Sequence, residues 1–116
     1  MKPRIYHNPH CSKSRAAMAL LEDRGLELEV VEYLATPPTP ATLRNLVAKL
    51  GVPAKKLVRT GETAFREAHI DLDSATDDAI LEFLAREPSA LQRPIVEFGA
   101  NARIGRPPEA VLEIFQ

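Results

Sequence analysis

The hydrophobic period of this chain changes twice within its first 33 residues, and no other feature constrains the fold as strongly. Arg4-Ile5-Tyr6-His7 reads as a short strand that enters a loop at Asn8-Pro9-His10. From Ser12, Ala17, Leu20 and Leu21 recur on one helical face, with Lys13, Glu22 and Arg24 on the other. Gly25 comes next, where a helix C-terminus takes a positive φ at least cost. Leu26, Leu28 and Val30 then alternate with Glu27 and Glu29, the period of a strand with one buried face. Val31 and Tyr33 continue it less regularly. Two strands joined by a crossover helix pair in parallel, so an α/β layer fold is expected.

Ten prolines punctuate the 116 residues. Thr39 is a good N-cap with Pro40 at the first helical position. Leu43, Leu46, Val47 and Leu50 recur beyond it at helical spacing, and Gly51 stops the run. Short helical turns are expected around Ala54–Val58 and Thr63–Ala68. Thr76 caps a further helix, with Asp77 and Asp78 against its positive end; Ile80, Leu81 and Leu84 form its apolar face, and Pro88 ends it. Ile95-Val96-Glu97-Phe98 and Ala102-Arg103-Ile104 flank Gly99-Ala100-Asn101 as a hairpin. A last short helix starts at Pro107 and buries Val111, Leu112 and Ile114. The order matches a single domain, residues 1–116, with a thioredoxin-like mixed β-sheet flanked by helices and a helical insertion.

Composition excludes several functions. Fifteen Lys+Arg against sixteen Asp+Glu leave a net charge of −1, so no basic field recruits nucleic acid. Aromatic residues make up 5% and tryptophan is absent, which argues against a base-stacking platform. The longest apolar run, Ala16 to Leu21, is far shorter than the roughly 20 residues that span a bilayer, so no membrane partner is expected. With the polar run His7 to His10 arriving before any apolar stretch, no signal peptide is expected at the N-terminus. A single cysteine excludes an internal disulfide framework and any cysteine-rich zinc site. A cytoplasmic protein with a reduced thiol is expected.

That cysteine, Cys11, sits where the first strand gives way to the first helix. A free thiol is only about 3% ionised at pH 7. Unpaired N–H groups at a helix N-terminus, helped by nearby cations, lower its pKa; Lys13, Arg15, His7 and His10 are close in sequence. A lone cysteine is most often a small buried hydrophobe, but no apolar face includes Cys11, and the strand-to-helix position favours a nucleophile. Ser14 makes the motif C-x-x-S, without a resolving thiol. Low-molecular-weight phosphatases need C-x5-R, and position 17 is Ala. Arg93 and Arg106 each precede a proline, which extends their backbone; with Arg59 they are donors suited to a tetrahedral oxyanion, although spacing alone does not single them out. Pro94 opens a candidate strand where a cis proline is expected by analogy of fold. The three histidines show no metal-ligand spacing. His7 reads as a polar neighbour that holds the thiolate, and His10 and His69 as exposed.

Four ordered blocks carry a resemblance: His7-Asn8-Pro9-x-Cys11-x-x-Ser14-Arg15, Leu57-Val58-Arg59, Arg93-Pro94-Ile95-Val96, and Arg106-Pro107 before Glu109-x-Val111. Tyr33-Leu34-x-x-Pro37-Pro38 is similar too. Together they resemble the glutaredoxin-coupled arsenate reductase family along essentially the whole chain. The resemblance implies a Cys11 thiolate that attacks arsenate, glutathione as co-substrate with no bound cofactor or metal, and glutaredoxin as the partner that completes reduction to arsenite. It further implies that Arg59, Arg93 and Arg106 hold the oxyanion, that His7 favours the thiolate, and that Ser14 hydrogen-bonds near it.

Two other functions share such a fold. One is a thiol-stress transcription regulator that binds RNA polymerase, in which C-x-x-C is common; Ser14 removes that second thiol here. The other is a monothiol glutathione-dependent oxidoreductase acting on disulfides, which leaves three arginines unexplained unless they bind glutathione carboxylates.

Overall fold

In the computed structural model, which describes residues 2–115, β1 (Arg4–His7), α1 (Ser12–Asp23) and β2 (Glu29–Glu32) succeed one another as the period changes require. β1 and β2 pair in parallel, from Arg4 opposite Glu29 to His7 opposite Glu32. β3 (Ile95–Phe98) lies antiparallel on the other side of β1, with Tyr6 opposite Ile95. β4 (Asn101–Ile104) pairs antiparallel with β3. The result is a mixed four-stranded sheet in the order β2-β1-β3-β4.

β2 is shorter and more exposed than its alternation predicts. It starts at Glu29, and Val30 remains 40% exposed. β1 begins only at Arg4, so residues before Glu29 have no strand beside them to pair with, and β2 is an edge with one neighbour. Leu26 and Leu28 find partial burial against the core as the chain approaches the sheet.

The chain divides into two compact units, Met1–Thr36 with Arg93–Gln116, and Pro37–Gln92. The first holds the sheet. Ile5, Val96, Ala17, Leu21 and Val111 form its fully buried core, with Met18, Leu112, Ile114 and Phe115 packed against it. α1 and a C-terminal 3-10 segment, Pro108–Phe115, thus cover one face of the sheet. Val111 is fully buried there; Leu112 and Ile114, expected inside, are only half-buried. A fully buried aliphatic side chain contributes about 1.5–3 kcal/mol, so this small cluster fixes how α1 lies on β1. The C-terminus of α1 closes as a Schellman motif: Gly25, at φ 76, donates to the Glu22 carbonyl (2.9 Å) and Leu26 to the Leu21 carbonyl (3.3 Å).

The second unit is the helical insertion. α2 (Pro40–Leu50) starts where the Thr39 side chain accepts from the Thr42 N–H at 3.1 Å, and it buries Leu43 and Leu46. A 3-10 turn (Ala54–Leu57) and α3 (Thr63–Ala68) occupy the two positions expected for short helices. α4 (Asp77–Arg86) is capped by Thr76 and buries Ile80, Leu81, Phe83 and Leu84. An isolated antiparallel bridge between Val58 and Leu91 ties the segment after the 3-10 turn to the C-terminal end of the unit.

One glycine matters for its lack of a side chain. Gly105 is buried just past β4, and its N–H donates to the Pro94 carbonyl at 2.8 Å. A Cβ there would lie 2.6 Å from Pro94 Cγ and 3.2 Å from Val111 Cγ1. Neither a proline ring nor a core valine yields easily. Gly105→Ala is therefore expected to destabilise the protein by about 1–3 kcal/mol through overpacking, whereas Gly61→Ala, which meets nothing within 4 Å, should change stability by less than about 1 kcal/mol. Urea unfolding of both variants checks this; equal midpoints would mean that the Gly105 contact is not tight.

Candidate active site at one edge of the sheet

Strand direction gathers the chemistry-bearing residues. β1, β2 and β4 all end, and β3 begins, at the same edge of the sheet. Continuing the register past the strands sets Tyr33 beside Asn8, Asn8 beside Arg93, and Arg93 beside Arg106. The bond from Gly105 N to the Pro94 carbonyl lies on this continuation. The Arg93–Pro94 and Arg106–Pro107 peptides are both cis. The first matches the expectation from the fold; the second has no sequence signal beyond the proline itself.

Between β1 and α1 the chain turns on Asn8. The Asn8 carbonyl accepts from Cys11 N–H and its side-chain Oδ1 from His10 N–H, both at 3.0 Å, a turn that asparagine makes readily. The knot at its centre is Ser14, which has no exposed surface. Its Oγ accepts from Asn8 N–H at 3.1 Å and lies 2.6 Å from His7 Nδ1. Burial, the largest influence, pushes the His7 pKa below its ordinary 6.5, so the ring is neutral at pH 7. A neutral ring has one acceptor nitrogen. With the Ser14 oxygen already accepting from Asn8, the simplest accounting gives the serine proton to Nδ1 and leaves the ring proton on Nε2.

Cys11 is the N-cap of α1, with extended φ −99 and ψ 122. Its sulfur lies near the N–H groups of the second and third helical residues, where a Ser or Asp oxygen would cap the helix, without closing a cap hydrogen bond. Burial alone would raise the thiol pKa. The Ser14 N–H, the Arg93 guanidinium and the Lys13 N–H outweigh it, and the pKa falls below its ordinary value. The helix terminus thus acts as expected, but the assisting cation is a distant one. Lys13, Arg15 and His10, the neighbours in sequence, have exposed side chains, and the Arg15 Nη1 donates to the Pro9 carbonyl at 2.9 Å. Adjacent residues on a helix start splay outward, whereas a strand running antiparallel across the sheet delivers Arg93 inward.

Of the residues singled out from the sequence, Cys11, His7, Ser14, Arg93 and Arg106 thus come to one sheet edge. Arg59 belongs to the second unit, where its N–H donates to the Ala90 carbonyl (2.7 Å) and its Nη1 to Glu62 Oε1 (3.1 Å). His10 and His69 are exposed, as expected. Two residues carry more of the site than their sequence context indicates. Asn8 ties the turn, a role signalled by its place before Pro9, and Tyr33 stands beside it, which only strand register reveals. Among the described residues no group of three or more His, Cys, Asp or Glu side chains could hold a metal ion, and no helix is long and apolar enough to cross a membrane.

Two outcomes test this geometry. The rate of Cys11 alkylation should rise with pH about a midpoint below that of an ordinary thiol, and Arg93→Gln should move that midpoint upward by removing a thiolate-stabilising cation; an unshifted midpoint would separate Arg93 from the sulfur. Ser14→Ala should cost about 1–3 kcal/mol in thermal or urea unfolding, since it leaves the buried Asn8 N–H and His7 Nδ1 without their partner.

Comparison with known proteins accords with this layout. The sequence model of the ArsC family matches residues 6–114. An arsenate reductase of Neisseria meningitidis is 43% identical over 109 residues, covering 93% of each chain. An uncharacterized Escherichia coli protein, YfgD, is 46% identical over 112 residues, 96% of this chain and 94% of that one. Among solved structures, an arsenate reductase from Vibrio cholerae superposes with a TM-score of 0.94 at 42% identity, covering 98% of both chains. The fold is the thioredoxin-like α/β arrangement expected from the element order.

Proposed function

This chain belongs to the ArsC family, and on that premise we propose that it is an arsenate reductase whose nucleophile is the Cys11 thiolate. The observation that carries the reading is the depressed thiol at the N-terminus of α1, with Arg93 beside it. The other support is chemical. A thiolate and an anion 4 Å apart repel by about 4 kcal/mol per pair of unit charges at a protein surface, enough to slow attack by a factor near a thousand. Guanidinium groups remove that barrier and offer planar paired donors to a tetrahedral oxyanion. Arg93 and Arg106 do this from adjacent strand ends. Arg59 is assigned as a third such group on the Leu57-Val58-Arg59 match.

In this reading the thiolate displaces one arsenate oxygen, which leaves as water after protonation, and an arsenic–sulfur bond forms. The protein has a single cysteine, and Ser14, at the position of a resolving thiol, is buried in the knot with His7. The two electrons that take arsenic from the +5 to the +3 state must therefore come from external thiols. Glutathione displaces a second oxygen from the adduct, again as water. A glutaredoxin thiolate then attacks the arsenic-bound glutathione sulfur, so that the As–S bond breaks onto arsenic and a glutaredoxin–glutathione disulfide forms. Hydrolysis of the remaining arsenic–Cys11 bond releases arsenite and the thiolate. Such thiols belong to the reducing cytoplasm. His7 supports the thiolate through Ser14, whose own N–H faces the sulfur.

The test is NADPH oxidation coupled through glutathione reductase, glutathione and glutaredoxin. Arsenate-dependent turnover is expected from the wild type and none from Cys11→Ser. Arg93→Ala and Arg106→Ala should each lower kcat/KM by about 10²–10³. A wild type that oxidises no NADPH on arsenate addition would overturn the proposal.

A further inference from the structure

Tyr33 is fully buried, yet among the described residues no hydrogen bond of ordinary geometry closes on its hydroxyl. Buried hydroxyls rarely stand this way. A phenylalanine would fill the same volume without that penalty, so the oxygen needs a reason. Its surroundings supply one. Register sets Tyr33 directly beside Asn8 at the ends of two parallel strands, and Arg93 next beyond Asn8. A guanidinium offers donors only. The Asn8 Oδ1 is already taken by His10 N–H, which leaves the amide NH2, again a donor.

The phenol oxygen thus faces two donor groups, while its own proton faces no acceptor. Burial raises the phenol pKa most; Arg93 and Asn8 pull it back, and the Cys11 charge adds to the rise. The hydroxyl therefore keeps its proton at neutral pH and senses a negative charge at the sulfur. An anion lodged against Cys11 and Arg93 would provide the missing acceptor.

We infer that Tyr33 is a substrate-binding residue, its buried O–H donating to an oxygen of the oxyanion held against Cys11 and Arg93. The inference rests on the oxyanion reading above and adds a neutral donor to the arginines. That donor makes the site selective. Arginines attract any anion, but a buried O–H left without a partner penalises ligands that bring no oxygen to it, such as a disulfide sulfur.

Protection of Cys11 from iodoacetamide by arsenate tests this, with sodium chloride at equal ionic strength as the control. Arsenate should protect the wild type, and Tyr33→Phe should require about ten-fold to a hundred-fold more arsenate for equal protection. A second measurement needs no change at the site. The chain has two tyrosines and no tryptophan, so in a Tyr6→Phe background the near-ultraviolet difference spectrum on adding arsenate reports Tyr33 alone, and a shift is expected.

Equal protection of wild type and Tyr33→Phe, or a silent spectrum, would overturn the role of Tyr33 and leave the oxyanion reading standing. A change confined to the unprotected alkylation rate would assign Tyr33 to packing of the thiol and overturn it too. A wild type unprotected by arsenate would instead overturn the oxyanion reading, and the inference with it.

Discussion

Everything at the candidate site depends on the buried Ser14 hydroxyl. It joins the last residue of β1, through His7 Nδ1 at 2.6 Å, to the first turn of α1, and it holds the Asn8 N–H between them. A strand and a helix that meet across only a few residues could adopt many relative angles. Two hydrogen bonds in a solvent-free pocket remove that freedom, because breaking either one strands a polar group away from water. With the junction fixed, the α1 N-terminus points its unpaired N–H groups at one place, and Cys11 occupies it.

The sheet contributes the second requirement. A helix terminus favours negative charge by roughly 0.3–1 kcal/mol at an exposed position, and more when partly buried. Against the desolvation that raises the Cys11 pKa, this alone is a narrow margin. Arg93 widens it, and does so from a residue 82 positions away in the chain because β3 runs antiparallel to β1 and begins where β1 ends. Arg106 arrives from the next strand in register. The same geometry brings in Tyr33 from the opposite side. The site is thus a row across four strand ends, covered by the start of one helix.

Particular residues show how far the sequence can be read. The strand at Arg4–His7, the helix beginning at Ser12, the Thr39 and Thr76 caps and the hairpin around Gly99 all appear where local rules put them, since period, capping chemistry and turn residues act within a few positions. β2 departs from its alternation in length and burial: alternation reports a preference for a two-faced environment, but the length of β1 decides how much of it can pair. The cations beside Cys11 differ for a similar reason. Nearness in sequence points to Lys13 and Arg15, and a helix start turns those side chains to solvent. Tyr33 is visible as a letter in a motif, with nothing local to say what it touches, whereas the place of Asn8 before Pro9 signals its turn but not the strand neighbours it meets.

The sequence by itself determined that one thiol stands at a strand-to-helix junction, that parallel pairing results from the crossover helix, and that any disulfide chemistry must recruit a thiol from elsewhere. Those conclusions rest on interactions that span a few residues or on a count of one cysteine. Tertiary structure alone decided which cation lowers the thiol pKa, which hydroxyl is left facing donors, and why a side chain at position 105 would crowd Pro94 and Val111. These depend on strand order and register, which bring residues 8, 33, 93 and 106 side by side at distances no local propensity encodes.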